Sequence, residues 1–259
     1  MLKLKQILII INLKTVIVTL LAVASTWICR RYGLHADFPL TLIATAVVFP
    51  ILFTISGAYK RRENALTRYG SIKAHGRALY FASRDWLQET DQALLDKVKG
   101  LLGQLLVDCR TLFATPLADM SPMEDTVYRD FSRLSELINQ DLRSKGLPSG
   151  EASRLNQFLS KMNIAFEDVK HIYQYRTPRT LSAFSDFFVT VLPIVYGPYF
   201  AAEAVNYSAG LAYVMPVLFS IILVSLDNIQ EHLENPFDQI GEDDIAINAE
   251  KFIERLDLK

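Results

Sequence analysis

Cysteine is scarce in this sequence, which contains only Cys29 and Cys109. Two widely separated cysteines fit neither a disulfide framework nor the paired spacing of a zinc site. The histidines are also far apart, at His35, His75, His171 and His232. The sequence also contains no glycine-rich phosphate loop and no nucleophile motif. We therefore expect no enzyme activity, no resident metal and no cofactor.

The sequence also lacks a net positive charge and any strand-like alternation of polar and apolar residues. The chain has 27 lysines and arginines against 28 aspartates and glutamates, for a net charge of -1. A protein that binds nucleic acid neutralises phosphates with an excess of basic residues, so we expect no nucleic-acid partner. No segment of strand length alternates polar and apolar residues. We therefore predict an all-α protein.

Apolar residues, by contrast, make up 51% of the chain, which is more than an ordinary soluble protein of 259 residues contains. The segment from Leu40 to Ala58 carries no charge. At about 1.5 Å per residue this helix is roughly 28 Å long, close to the ~30 Å hydrocarbon core of a bilayer. On the same grounds we predict four transmembrane helices, at about residues 7–29, 40–59, 181–202 and 209–226.

Basic residues near the span ends predict the orientation. Lysines and arginines flank the start of span one, the end of span two and the start of span three, whereas the opposite side has only Arg30 and Arg31. Because basic loops stay in the cytoplasm, both termini are expected there. Lys14 near the start of span one is expected to extend its amine to the membrane interface. Asp186 is interpreted as a residue favoured by the helix dipole at its start rather than as a partner for a buried cation.

Residues 60–180 and 227–259 are predicted to form one cytoplasmic helical bundle. No flexible linker separates this bundle from the spans, so residues 1–259 are interpreted as a single domain. The stretch from Asp227 to Asp244 is acidic, without lysine or arginine. It is either a solvated tail or a calcium site that uses Glu242, Asp243 and Asp244, although the EF-hand spacing is missing. Phe237 inside it is expected to be buried against the bundle.

Span two contains a stripe of Thr45, Phe49 and Phe53 at every fourth residue, with Pro50 beside it. These side chains lie along one side of a helix. The stripe faces either lipid and neighbouring helices or a pore. The cationic run Lys60-Arg61-Arg62 follows. It is either an ordinary positive-inside signal or a vestibule that attracts anions.

Four segments, in order, resemble the bestrophin family of ion channels. They are Tyr59-Lys60-Arg61-Arg62 followed by Tyr69-Gly70 and Arg77, the aromatic elbow from His171 to Pro178, span four leading into Glu234-Asn235-Pro236-Phe237, and Asp244-Ile245-Ala246-Ile247. The resemblance covers most of the chain and is weakest over residues 87–150. It is closest to bacterial-type members, because the acidic cluster of the calcium-gated animal members is incomplete here.

The resemblance implies a homopentamer in the plasma (bacterial inner) membrane, with five copies of the second helix around a central pore. A hydrophobic neck would then be formed by Thr45, Phe49 and Phe53, and a cytoplasmic constriction would lie at Ser153. Threonine and serine stand where relatives place aliphatic residues, so both gates are expected to be wider or wetter.

The sequence thus predicts an anion channel with chloride as the expected ion, and with membrane lipid and copies of itself as partners. Two alternatives stay open at this stage. One is a cation channel of the same fold, because a phenylalanine collar discriminates poorly by charge. The other is a membrane scaffold or sensor whose cytoplasmic helices bind a partner.

Overall fold

The structure, a computed structural model of one chain, describes residues 11–37, 39–89, 91–203, 210–237 and 244–257. Within these residues every regular element is helical, as predicted, and no strand occurs. The helices are α1 (Leu13–Tyr32), α2 (Leu40–Asp85), α3 (Gln92–Ala114), α4 (Met120–Glu136), α5 (Ser149–Gln174), α6 (Arg179–Val195), α7 (Gly197–Glu203), α8 (Leu211–Glu234) and α9 (Ala249–Glu254).

Helices α1, α2 and α8 are long and apolar enough to cross a membrane. The consecutive helices α6 and α7 meet at a bend of 40° and would form a fourth span if they act as one. The observed bounds differ from the predicted ones in two places. Helix α2 continues without a break past Tyr59 to Asp85, and α8 continues past Leu226 to Glu234. The part of span one before residue 11 lies outside the described residues.

The chain divides into two compact units. The first unit contains residues 1–60 and 176–234, and the second contains residues 61–175 and 235–259. The borders fall close to the predicted limits of the membrane and cytoplasmic parts. The assignment of residues 1–259 to one channel domain stays a prediction.

The first unit is organised around an apolar core with a large aromatic share. Tyr196 and Phe200 are almost fully buried there, and their rings contact each other and Phe219. The aliphatic members of this core come from α1, α2, α6 and α8, namely Val18, Val47, Ile51, Val189, Leu192, Leu223 and Val224. The packing of α2 in this core leaves its opposite side exposed.

One polar contact in this unit corrects the sequence interpretation. Lys14 does not extend alone to the interface: its amine contacts Asp186 and lies 2.7 Å from Asp227 Oδ2. Asp186 is therefore the partner of a cation and not only a residue favoured by the helix dipole, as the sequence had suggested. A second polar contact joins neighbours of this ion pair: Asn12 Nδ2 donates to Asn228 Oδ1 at 3.0 Å. Helices α1, α6 and α8 are thus connected at one end by a single lysine.

The break between α6 and α7 is explained by Pro198. Proline has no N–H, so it cannot donate to the carbonyl of Ile194 four residues earlier. Ser25 on α1 supplies the missing donor, and its Oγ lies 2.7 Å from the Ile194 oxygen. An apolar medium penalises an unpaired carbonyl, so a neighbouring hydroxyl makes the bend tolerable. The close approach also requires Gly197, where an added Cβ would overlap Ser25 Oγ and lie 2.9 Å from the Ser25 backbone carbon.

We expect Gly197→Ala to lower the free energy of unfolding by about 1–3 kcal/mol, because overpacking moves α1 away from the bend. Gly100→Ala is the matched control. Gly100 lies inside α3, and a Cβ there meets no atom within 4 Å. Alanine is the better helix former, so this control should gain up to about 1 kcal/mol. Thermal unfolding of the two variants in detergent measures both effects, and equal melting temperatures would contradict the proposed contact.

The second unit has a larger core, formed mainly by α3, α4 and α5. Helix α3 contributes Leu94, Leu95, Val98 and Leu102, which are buried and recur at helical spacing. Helix α4 continues into a wide π-helical turn at Leu137–Leu142. Phe113 at the end of α3 contacts Phe166, Tyr173 and Phe237. Only 2% of Phe237 is exposed, which confirms its predicted burial.

A buried carboxyl in this unit gives a pH dependence. Asp130 on α4 is 1% exposed, and its Oδ1 accepts a hydrogen bond from Arg133 Nη1 at 3.1 Å. Its Oδ2 has no donor within the described part of the chain, and the Asp108 carboxyl on α3 is a neighbour. Burial first, and then Asp108, raise the pKa of Asp130 from 3.8 to about 6, against the opposite effect of Arg133.

A folded-state pKa above the unfolded value means that the folded protein binds the proton more tightly. The stability that this proton contributes is complete below pH 3.8 and is lost as the pH rises through about 6. Its size is roughly 3 kcal/mol. Asp130→Asn should remove this fall, whereas Asp125→Asn, at an exposed position on the same helix, should keep it. Denaturant unfolding between pH 4 and 7 measures the slope, and equal slopes in wild type and Asp130→Asn would contradict the assignment.

Candidate functional site

The predicted stripe on α2 lies on the exposed side of the first unit. Phe49 is 57% exposed and Phe53 is 63% exposed, whereas Val47, Ile51 and Thr54 are buried. The two phenylalanine rings contact each other edge to face, with their centroids 4.8 Å apart. The two rings therefore form an exposed aromatic surface and are not part of the core of the first unit.

Thr45 lies one turn before these rings and is also exposed. Its hydroxyl donates to the Thr41 carbonyl at 2.6 Å. The Thr45 hydroxyl, which was predicted to make this end of the stripe wetter, therefore already donates its proton within α2. Pro50 lies within the continuous helix α2 and removes the bond to the Ala46 carbonyl. The whole stripe is presented by one helix on one face.

Behind the stripe, a chain of polar side chains connects three helices of the first unit. The hydroxyl of Thr54, next to Phe53, hydrogen-bonds with Gln230 Oε1 on α8. Gln230 Nε2 donates to Glu234 Oε1 at 3.3 Å, and Ser182 Oγ on α6 lies 3.4 Å from the same oxygen. Sequence reasoning singled out Glu234 but missed Thr54 and Gln230. Thr54 could have been noticed as a polar residue within an apolar span, whereas Gln230 lies in the acidic stretch after span four and had no signal of its own.

The three predicted vestibule cations differ in their surroundings. Tyr59 and Lys60 are exposed at the end of the α2 segment in the first unit. In the second unit, Arg61 is half-buried and Arg62 Nη1 lies 2.6 Å from Glu63 Oε1. The run therefore carries less free positive charge than three basic residues suggest.

The Asn235-Pro236-Phe237 motif forms a compact turn in the second unit. Phe237 N donates to Asn235 Oδ1 at 3.4 Å, and Ile245 N donates to the Pro236 carbonyl at 2.7 Å. The Phe237 ring stacks on Phe113 with centroids 5.0 Å apart. The motif is thus packed in the core of the second unit through Phe237 and is joined to Ile245 by a backbone hydrogen bond.

The calcium hypothesis concerns residues that are only partly described. Glu242 and Asp243 lie outside the described residues, and Asp244 is half-buried beside the buried Ile245. Among the described residues no group of three or more histidine, cysteine, aspartate or glutamate side chains could hold a metal. Calcium at Glu242, Asp243 and Asp244 stays a prediction.

Ser153, the predicted cytoplasmic constriction, is exposed on α5 in the second unit. It lines an open pocket of about 240 Å³ together with Asn139, Arg143, Ser149 and Asn156. Sequence reasoning did not single out Arg143, which lines the same pocket. Ser149 is the first residue of α5 and follows the cap residue Pro148.

Apolar helices of membrane-spanning length, together with a helical second unit, define a polytopic all-α membrane protein. No family model and no curated protein sequence matches the chain. Solved structures do match. A variant of a bacterial bestrophin homologue from Klebsiella pneumoniae has a TM-score of 0.76 at 19% identity, covering 94% of this chain and 95% of that chain.

A second variant of the Klebsiella pneumoniae homologue has a TM-score of 0.74 at 18% identity, covering 94% of this chain and 97% of that chain. A further crystal structure, of a membrane protein, has a TM-score of 0.76 at 18% identity and covers 95% and 98% of the two chains. The chain therefore has a bestrophin-like fold. The resemblance in the motifs is confirmed at this level.

Proposed function

We propose that this protein is an ion channel that conducts anions, chloride in particular, as a homopentamer around a central pore. Five copies of α2 line the pore, and Thr45, Phe49 and Phe53 form its neck. Ser153 forms a second, cytoplasmic constriction. The channel lies in the plasma (bacterial inner) membrane in contact with lipid, with both termini in the cytoplasm. It needs no cofactor and catalyses no reaction.

The observation that carries this proposal is the exposure of Phe49 and Phe53 on α2 within a bestrophin-like fold. A ring of such side chains makes a narrow apolar collar, which excludes water and blocks ions when it is closed. A small widening admits water and restores conduction. Pro50, inside the helix between the two rings, provides a place for that movement.

One chain cannot enclose a pore with a single helix, so the proposal requires several copies. The exposed side of α2 supports this arrangement, because the rings there pack on each other and not into the core of their own unit. Closed cyclic symmetry would bring equivalent rings to face one axis. Native mass measurement in detergent tests the number of copies, and a monomer would contradict the pore.

Charge preference separates the leading proposal from the second candidate. The exposed Lys60 supports anion entry, because cations at a mouth raise the local anion concentration. The pairing of Arg62 with Glu63 supports a cation channel of the same fold, since it reduces that field. A non-conducting scaffold or sensor is the third candidate, because an exposed aromatic surface also suits contact with another protein.

Bilayer recordings of the purified protein under a salt gradient distinguish these candidates. An anion channel gives a reversal potential close to the equilibrium potential of chloride. A cation channel gives the opposite sign, and a scaffold gives no current. Addition of a calcium chelator to the same bilayers tests calcium: unchanged current and melting temperature would exclude a functional site at Glu242, Asp243 and Asp244.

A further inference from the structure

We propose that Gln230 on α8 is a positioning residue for the neck, because its hydrogen bond with Thr54 opposes movement of the α2 segment that carries Phe53. This role rests on the proposed function, since the movement concerned is the opening of the collar. Thr54 and Gln230 are 3% and 2% exposed, so the bond lies in the interior of the first unit. It joins two helices through residues that are 176 positions apart in the sequence.

The carboxylate of Glu234 fixes the orientation of the Gln230 amide. A carboxylate only accepts hydrogen bonds, so it faces the amide nitrogen. Gln230 Nε2 accordingly donates to Glu234 Oε1 at 3.3 Å. The amide oxygen is thereby directed at α2, where the Thr54 hydroxyl is its donor. A buried amide oxygen that loses its donor carries a penalty, so the bond favours the observed placement of α2.

Thr54 can release this bond without losing a partner of its own. Its Oγ1 lies 2.7 Å from the Ile51 carbonyl, which is a second acceptor about one turn earlier on α2. The hydroxyl has one proton, so it serves one of the two acceptors at a time. If α2 turns, the hydroxyl rotates toward the Ile51 carbonyl, and only the Gln230 oxygen is left unpaired. Breaking the bond therefore strands one group and not two, as a moving element requires.

The position of the bond on α2 opposes the movement that opens the collar. Phe53 and Thr54 are consecutive, so their side chains diverge by about 100° around the helix axis. Thr54 faces α8, whereas Phe53 is exposed. Turning Phe53 toward the core would carry Thr54 away from Gln230. Pro50 weakens α2 about one turn before Thr54, so the bond holds the part of the helix that follows this weak point.

Thr54→Val is expected to raise the fraction of time that the channel is open by about tenfold or more. Valine is close to threonine in size but has no hydroxyl, so the bond is lost and the collar is kept. One hydrogen bond between membrane helices shifts an equilibrium by about threefold, and the five chains compound this factor if they open together. Single-channel recordings in bilayers measure the open fraction. The conductance of the open channel and the reversal potential should stay unchanged, because Phe49 and Phe53 are still present.

Two control variants isolate the hydroxyl of Thr54. Thr54→Ser keeps the hydroxyl, so its open fraction should stay close to that of the wild type. Thr26→Val makes the same substitution at another buried threonine of the first unit. The Thr26 hydroxyl donates to the Ala22 carbonyl of its own helix, α1, at 2.9 Å. Thr26→Val breaks no bond between helices, so its open fraction should equal that of the wild type.

Gln230→Leu removes the same bond from the α8 side and should raise the open fraction as much as Thr54→Val does. It also serves as the test if Thr54→Val fails to assemble. Because both substitutions break one and the same interaction, the double variant Thr54→Val/Gln230→Leu should rise no further than either single variant. Independent effects of general loosening would instead multiply.

Four results would overturn the role of Gln230. They are equal open fractions in Thr54→Val and Thr26→Val, an equal rise in Thr54→Ser and Thr54→Val, effects that multiply in the double variant, and a fall in the open fraction of either single variant. Each of these results requires a current, so it leaves the channel proposal intact. No current from the wild type or from the variant with Phe49→Ala and Phe53→Ala would overturn the channel proposal, and the role of Gln230 with it.

Discussion

Replacing Phe49 and Phe53 together by alanine is expected to raise the ion current through the protein by about tenfold or more. The two rings are the largest exposed side chains of the stripe on α2, and the proposed neck is apolar because of them. Removing ten rings from a pentamer would widen the collar and let water remain in it. A tenfold rise corresponds to lowering the barrier by about 1.4 kcal/mol.

The current is measured in bilayers with equal amounts of wild-type and variant protein. Phe187→Ala is the matched control, because Phe187 on α6 is 57% exposed, as Phe49 is, but belongs to a different helix. Its current should equal that of the wild type. Reversal potentials of the double variant show in addition whether the collar contributes to charge selection.

No current in the double variant, with the pentamer intact, would contradict the channel proposal. An equal rise in Phe187→Ala would show that loosened packing against lipid is responsible instead. Stability provides a second check, since exposed rings contribute little to the core of their own unit. The double variant should keep its melting temperature, whereas replacement of buried Phe200 should lower it.

The sequence predicted the apolar helices well because their signal is local. Length and the absence of charge identify a span, and the position of Thr45, Phe49 and Phe53 along one side of α2 follows from helical spacing. The end of α2 was not predictable in the same way. No helix-breaking residue follows Tyr59, so α2 continues to Asp85. Its sequence changes from apolar to polar along the way.

Contacts between residues distant in sequence could not be predicted from patterns. Ser25 on α1 supports the bend at Pro198, and Thr54 on α2 hydrogen-bonds with Gln230 on α8. Spacing identifies proline as a helix breaker, but it does not reveal which hydroxyl replaces the lost donor. Burial of Phe237 was predictable because proline and phenylalanine in an acidic stretch already suggested a docked turn.

Lys14 and Asp186 show the same limitation with a larger energetic consequence. Each residue, considered alone, had an ordinary explanation, and only the fold shows that they meet with Asp227. The two carboxylates are not equivalent. The Asp227 side chain is 5% exposed and that of Asp186 is 66% exposed. The charge of Asp227 therefore depends on Lys14 for compensation, whereas water also reaches Asp186.

Lys14→Met is expected to lower the free energy of unfolding by about 3–5 kcal/mol, because it leaves the buried charge of Asp227 uncompensated. For a chain of this length the melting temperature should fall by roughly 10 °C. Asp186→Asn should cost at most about 1 kcal/mol, as an exposed ion pair does. Thermal unfolding in detergent measures both variants. Lys97→Met is the control for loss of a lysine, because its pair with Asp141 is exposed.

The double variant Lys14→Met/Asp227→Asn distinguishes a buried charge from lost packing. If the penalty of Lys14→Met arises from the charge of Asp227, neutralising that carboxyl should restore a large part of the stability. If it arises from lost packing of the lysine chain, the two losses should add. Additive losses would mean that Lys14 contributes by contact alone. Recovery would mean that the charge of Lys14 holds α1, α6 and α8 together by compensating the buried charge of Asp227.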